Sequence, residues 1–154
     1  GKEFHLFPSM ESLADASING LRECGLGFRA KYVQSTAKKI LNGNINLNCL
    51  KTLPYLDARK ALLEFCGVGL KVADCVLLFA LDKTEAFPVD VWVKRVILNR
   101  YSDKLPVELV KKLQSRPTLT IGEYQKIGDW ARCYFGVYAG YAQEYLYHYE
   151  RTQR

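Results

Sequence analysis

Lys71 and Asp90 are the two residues of this 154-residue chain whose types and surroundings best suit covalent chemistry. Lys71 follows the turn Gly67-Val68-Gly69 and stands in the first turn of a predicted apolar helix. The positive end of the helix dipole disfavours an ammonium group there, and burial would further free the amine as a nucleophile. Asp90 follows Pro88-Val89 at the start of another predicted helix, where a carboxylate caps the helix and is favoured as an anion. An amine and a carboxylate at two helix starts suit attack on an electrophilic carbon that develops cationic character.

The turn Gly67-Val68-Gly69 is predicted to form a hairpin between two helices, because glycines permit positive φ and close backbone approach. The first amides of the second helix have no intrahelical partner, and the dipole makes them an anion site. Such a hairpin can hold a nucleic-acid phosphate through its backbone. Taken singly, a GxG turn is usually only a turn, the lysine a solvated residue and the aspartate a cap. The combination is what points to chemistry.

Composition favours a basic globular domain. The net charge is +6, the sequence pI is about 9.1, and 49% of the residues are hydrophobic. This charge favours a polyanionic partner without proving one. The five cysteines are an odd number with no CxxC spacing, so we expect neither a disulfide framework nor a zinc site, and a reducing, intracellular compartment. No apolar run is long enough for a membrane span.

Apolar positions recur with a helical period along the chain, and we therefore expect an all-α fold. The predicted starts and stops are serine, proline and glycine residues and one Thr-x-x-Glu capping box. Helices are predicted after Ser9, from Ser17 to a stop at Gly25, from 26–29 to 41, and over 54–66, 70–81, 90–100, 106–112, 120–133 and 136–149. The polar stretch NGNINLN at 42–48 is predicted to be a plain connection.

The motifs GVGLKVAD at 67–74 and FPVD at 87–90 closely resemble the helix-hairpin-helix–Gly/Pro–Asp superfamily of DNA glycosylases, and within it the 8-oxoguanine DNA glycosylases. The resemblance runs from about Phe4 to Tyr147. It implies one helical domain over 1–154, with the hairpin motif at 55–81 and the Gly/Pro–Asp loop at 86–90. It also implies that the amino-terminal sheet domain of the family is absent from this chain.

The resemblance implies a role for each matching residue. Lys71 would be the lysine that forms a Schiff base, and Asp90 the essential aspartate. Cys75 would lie against one face of the extruded base, Gln143 would read its hydrogen-bonding edge and Tyr147 would stack on it. From the residues alone, Cys75 is equally well a small core residue, and Gln143 and Tyr147 are better explained as part of a packing helix.

Phe28 and Arg29 also have two interpretations. Pattern alone favours Phe28 in the core and Arg29 on the surface. The resemblance implies instead that Phe28 is a wedge inserted into the base stack and that Arg29 reads the orphaned opposite base. Gly67, Val68 and Gly69 would bind the DNA backbone.

The expected function is thus that of a bifunctional DNA glycosylase/AP lyase, which excises 8-oxoguanine by base flipping and a lysine Schiff base. The expected partner is duplex DNA containing 8-oxoguanine. We expect a monomer in the cytoplasm or nucleoid of a bacterium, or in the nucleus of a eukaryote, and no membrane partner. The alternatives are a non-catalytic DNA-binding module, a glycosylase that uses water and lacks such a lysine, or a protein with another anionic partner.

No cofactor is expected for the chemistry, and no metal in the catalytic site. A structural monovalent or divalent cation held by hairpin carbonyls is common in the family. The residues of this chain neither require nor exclude one.

Overall fold

The computed structural model describes residues 3–43 and 47–153, and across them it contains helices and no strand. The prediction of an all-α fold is therefore confirmed. The α-helices are α1 (Met10–Asp15), α2 (Ile18–Leu21), α3 (Ala30–Leu41), α4 (Leu47–Leu50), α5 (Tyr55–Leu63), α6 (Leu70–Ala80), α7 (Val91–Arg100), α8 (Val107–Gln114), α9 (Ile121–Phe135) and α10 (Ala139–Thr152). Shorter helical turns cover Arg22–Leu26, Gly27–Arg29, Ser102–Lys104 and Gly136–Tyr138.

The predicted helix starts are largely confirmed by their capping bonds. The Ser9 hydroxyl accepts from the Ser12 amide at 3.2 Å, and the Ser17 hydroxyl accepts from the Gly20 amide at 3.0 Å. At the start of α9, the Thr120 hydroxyl accepts from the Glu123 amide at 3.3 Å, while the Glu123 carboxylate accepts from the Thr120 amide at 2.8 Å. These bonds satisfy amides that a helix start would otherwise leave unpaired.

The predicted stop at Gly25 is confirmed. The backbone stays helical beyond α2 through Cys24, and Gly25, with φ of +85°, breaks the helical path. The next helix opens with the 3-10 turn Gly27–Arg29, which leads directly into α3 at Ala30. Of the connection predicted at 42–48, residues 44–46 lie outside the described residues, and its last two residues already belong to α4.

The loop at 86–90 lies between two apolar clusters and is itself buried. One cluster joins α7, α8, α9 and α10 and includes Phe87 and Val89 of the loop. The other joins α4, α5 and α6 and includes Ala86. Ala86 and Phe87 are 0% exposed and Val89 is 4% exposed. The chain therefore enters α7 through a segment held by both clusters, which fixes where that helix begins.

Gly140 fixes α10 against the same loop. Its amide donates to the Thr84 carbonyl at 2.7 Å. A Cβ at Gly140 would lie 2.3 Å from a Leu78 methyl carbon and 2.8 Å from the Ala86 carbonyl oxygen, so a larger residue cannot fit without a shift. This contact sets the position of the residues that follow on α10.

Candidate active site

The predicted hairpin joins α5 to α6. The Val68 amide donates to the Phe65 carbonyl at 3.1 Å and closes the turn. Gly67 has φ of +81°, and a Cβ there would lie 2.4 Å from the Tyr32 ring. Gly69 is extended, with φ of −97°, and is the N-cap of α6. Only the first glycine of the pair therefore needs the conformation that glycine alone adopts readily.

Lys71 and Cys75 lie one turn apart on α6. Lys71 stands in the first turn of this 11-residue helix. Its side chain is exposed, as expected for a lysine at a solvated helix start, and the burial that would further free the amine is not seen. Cys75 is half-buried. Both residues line a cavity of about 220 Å³.

Asp90 is the N-cap of α7, as predicted. Its Oδ1 accepts hydrogen bonds from the Trp92 and Val93 amides, both at 2.9 Å. Asp90 also lines the cavity with Lys71.

Gln143 brings a buried amide group to the same cavity. It lies on α10, its side chain is 5% exposed, and its Oε1 is buried without a hydrogen-bond partner in the described part of the chain. A buried polar atom left without a partner costs roughly 1–3 kcal/mol, which makes it a candidate contact for a ligand. Tyr147, one turn further along, is half-buried and accepts a hydrogen bond at its hydroxyl from Arg151 at 2.9 Å.

The fold therefore brings together five of the predicted site residues from three separate parts of the chain. The cavity is lined by Lys71, Cys75, Phe79, Pro88, Asp90, Gln143, Glu144 and Tyr147. Sequence reasoning missed Phe79 and Glu144. Phe79 follows Lys71 and Cys75 at helical spacing, and that spacing could have identified it.

Phe28 and Arg29 do not line this cavity. They lie with Gly67 and Val68 around a second, largely apolar groove of about 380 Å³. Phe28 is 66% exposed, so the interpretation that places it in the core was wrong. The Arg29 guanidinium lies 4.5 Å from the Phe28 ring centroid, and the Tyr32 ring meets the Phe28 ring edge-on at 6.3 Å. The exposed Phe28 ring is thus contacted on two sides, by Arg29 and by Tyr32, beside the hairpin.

Residues 2–115 match the family described as HhH-GPD superfamily base excision DNA repair protein, and the chain belongs to that family. The family resemblance predicted from the two motifs is thereby confirmed. None of the helices in the described ranges has the length and apolar character needed to cross a membrane.

Named relatives are similar over nearly the whole chain. A probable N-glycosylase/DNA lyase of Methanothermobacter thermautotrophicus is 36% identical, over 87% of this chain and 47% of the relative. The N-glycosylase/DNA lyase of Saccharomyces cerevisiae is 34% identical, over 96% of this chain and 44% of the relative. The chain spans about half the length of the curated relatives it matches.

A solved structure shares the fold. It is the Clostridium acetobutylicum 8-oxoguanine glycosylase/lyase, in complex with double-stranded DNA containing cytosine opposite 8-oxoguanine. The TM-score is 0.81 and the sequence identity 37%, over 98% of this chain and 47% of that one.

Proposed function

We propose that the protein containing this chain is a bifunctional DNA glycosylase/AP lyase that excises 8-oxoguanine from duplex DNA in base excision repair. The observation that carries the proposal is the composition of one cavity. A common space is lined by an amine at the start of α6, a carboxylate at the start of α7 and, on α10, a buried amide whose oxygen is unpaired. The proposal is also supported by the similarity to proteins named as N-glycosylase/DNA lyases.

In the proposed reaction the duplex is held at the hairpin and the damaged nucleotide leaves the base stack for the cavity. The Lys71 Nζ forms a bond to C1′ of the sugar while the bond from C1′ to the base breaks, and the base leaves with the electron pair. The Asp90 carboxylate stabilises the positive charge on the sugar and takes part in removing the proton from the attacking amine. The nitrogen lone pair then expels O4′ from C1′, and O4′ takes up a proton as the sugar ring opens to a Schiff base. Loss of a C2′ proton from this Schiff base expels the 3′ phosphate, which cuts the strand.

Recognition of the base falls to the remaining cavity residues. Gln143 has an unpaired amide oxygen that can accept from the edge of a purine. Tyr147 supplies a ring for stacking, and Cys75 packs against the opposite face of the base. Phe28 and Arg29, beside the hairpin, would enter the space left by the flipped nucleotide.

Further proposals concern the protein as a whole. The chain would form one helical domain over 1–154 and act as a monomer in the compartment that holds the genome, with no cofactor in the chemistry. The described residues contain no cluster of three or more His, Cys, Asp or Glu side chains that could hold a metal ion. A cation at the hairpin would therefore be held by main-chain carbonyls.

One observation favours a non-catalytic DNA-binding module instead. The Lys71 side chain is exposed, as that of a solvated surface lysine would be. The buried, unpaired oxygen of Gln143 favours the enzyme, because phosphate binding through backbone amides does not require a polar cavity.

The complete protein that contains this chain should be tested on two duplexes that differ only in one 8-oxoguanine. We expect release of the damaged base and cleavage of the strand, with neither on the undamaged duplex. Equal binding to both duplexes without base release would contradict the proposal in favour of the non-catalytic module. Base release without strand cleavage would favour a glycosylase that uses water.

A further inference from the structure

Asp74 is the most deeply buried charged residue described in this protein, and it lies on the helix that carries Lys71. Its side chain is 1% exposed. The Tyr55 hydroxyl donates to its Oδ1 at 2.8 Å, and the Tyr124 hydroxyl donates to its Oδ2 at 2.7 Å. Arg59 forms an ion pair with Oδ1 at an N–O distance of 3.3 Å. Each carboxylate oxygen therefore has its own hydroxyl donor.

The two tyrosines differ in their second partner. The Tyr124 hydroxyl also accepts a hydrogen bond from the Val89 amide at 3.3 Å. Val89 is the residue before Asp90 and is 4% exposed. The Tyr55 hydroxyl accepts instead from Arg132 at 3.1 Å, and within the described ranges no hydrogen bond joins the Arg132 side chain to the loop at 86–90. Among the residues that the structure describes, Tyr124 alone connects the Asp74 carboxylate to the backbone beside Asp90.

Both hydroxyls stay in the donor form at neutral pH. Burial and the nearby Asp74 carboxylate raise the pKa of Tyr55 and of Tyr124 above the ordinary value. Burial also raises the pKa of Asp74, and its hydrogen bond from Tyr124 and the Arg59 guanidinium oppose that rise. The chain of hydrogen bonds from Asp74 through Tyr124 to the Val89 amide is thus available under physiological conditions.

We infer that Tyr124, held by Asp74, is a positioning residue that sets the Asp90 carboxylate relative to Lys71. Lys71 and Asp74 lie on α6, three residues apart, while Asp90 follows the Val89 amide that Tyr124 fixes. One buried link therefore joins the element carrying the amine to the loop carrying the carboxylate. Misplacement of a catalytic group by about 1 Å can cost roughly 100-fold in rate. The inference rests on the proposed function, because it assigns Tyr124 to the same site.

Two matched variants test this inference. Each removes one tyrosine hydroxyl that donates to Asp74 and keeps the aromatic ring. Tyr124→Phe also removes the acceptor for the Val89 amide, whereas Tyr55→Phe leaves that amide paired. In the complete protein, single-turnover release of 8-oxoguanine should fall about 10- to 100-fold in Tyr124→Phe. It should stay within about threefold in Tyr55→Phe, and the Kd for the duplex should stay within about threefold in both variants.

Hydrogen exchange at Val89 supplies a readout that does not depend on activity. The amide hydrogen of Val89 should exchange faster in Tyr124→Phe than in Tyr55→Phe. The two variants are compared under conditions in which their free energies of unfolding are equal. Equal exchange, or an equal loss of rate in the two variants, would overturn the inference and leave Tyr124 a structural residue. A wild-type protein that releases no base would overturn the proposed function, and the catalytic part of the inference with it.

Discussion

Asp90 has two roles in the structure, because it caps α7 and also lines the cavity that Lys71 lines. Both capping bonds fall on Oδ1, so the geometry of the cap depends on an oxygen acceptor and not on the charge. Asparagine caps a helix about as well as aspartate does. The capping and the proposed catalytic role of this residue can therefore be separated by one substitution.

Asp90→Asn should leave stability nearly unchanged while the chemistry is lost. We expect the free energy of unfolding to change by less than about 1 kcal/mol, the size of a charge–dipole interaction. Base release per folded molecule should fall by about 10²–10³, the usual loss when one preorganised electrostatic group is removed. Denaturant unfolding and single-turnover base release measure the two effects, with the exposed Asp57→Asn as the matched control. A variant that lost stability but kept its rate would show Asp90 to be a cap and nothing more.

At the level of the elements, the two hairpin glycines look equivalent in the sequence and differ in the structure. Gly67 combines positive φ with close contact to the Tyr32 ring, whereas Gly69 has extended backbone and open space around its Cα. The sequence motif alone could not reveal this difference, because it depends on where α3 places Tyr32.

Gly67→Ala should therefore destabilise the protein much more than Gly69→Ala. A left-handed backbone costs a non-glycine residue roughly 1–2 kcal/mol, and displacement of the Tyr32 ring adds to that. Gly69→Ala loses only part of an N-cap preference, which is worth about 1 kcal/mol or less. Urea unfolding of both variants measures the difference, and equal losses would contradict the described hairpin geometry.

The start of α9 carries a stability contribution that depends on pH. The bond from the Thr120 amide, together with bonds from Arg116 and the Thr120 hydroxyl, lowers the pKa of Glu123 from 4.5 to about 2, against the opposing effect of burial. Because the folded-state value is the lower one, this stability is present above pH 4.5 and is lost as the pH falls toward 2. Each pH unit between the two values is worth about 1.4 kcal/mol.

Glu123→Gln should consequently be less stable than the wild type by roughly 2–3 kcal/mol at pH 7, and by progressively less as the pH falls below 4.5. Gln retains the shape of the capping box, so the charge is what the substitution removes. Urea unfolding at pH 7 and pH 3 measures this gap in the free energy of unfolding between variant and wild type. The exposed Glu108→Gln serves as the control and should differ almost not at all from the wild type. A gap of constant size at both pH values would contradict the assignment.

At the level of the whole molecule, local signals predicted the helices well and the tertiary contacts poorly. Ser9, Ser17 and Thr120 cap helices because their hydroxyls reach amides within the next turn, which a sequence shows directly. The contact between Gly140 and the loop, and the link from Asp74 to Val89, join residues far apart in the chain. Neither has a local signal, so the sequence could not reveal them.

The candidate site shows the same division. Lys71 and Asp90 were predicted from their motifs, and Phe79 could have been predicted from its helical spacing after Lys71 and Cys75. Glu144 has no such signal, because it lines the cavity only where the fold brings α10 to it. The exposure of Phe28 went against the expectation from pattern alone, whereas the exposure of Lys71 agreed with it. Composition and periodicity predict which apolar residues are buried within one chain, and they give no signal for an aromatic ring that stays exposed on its surface.

The most direct test of the central claim is to trap the covalent bond to Lys71. The complete protein should be incubated with a duplex containing one 8-oxoguanine, treated with borohydride and examined on a denaturing gel. We expect an adduct that depends on the lesion, is absent in Lys71→Gln and is retained in the control Lys126→Gln, which removes an exposed lysine on α9. An adduct that persisted in Lys71→Gln, or a wild type that bound the duplex and formed none, would contradict the assignment of Lys71 as the nucleophile.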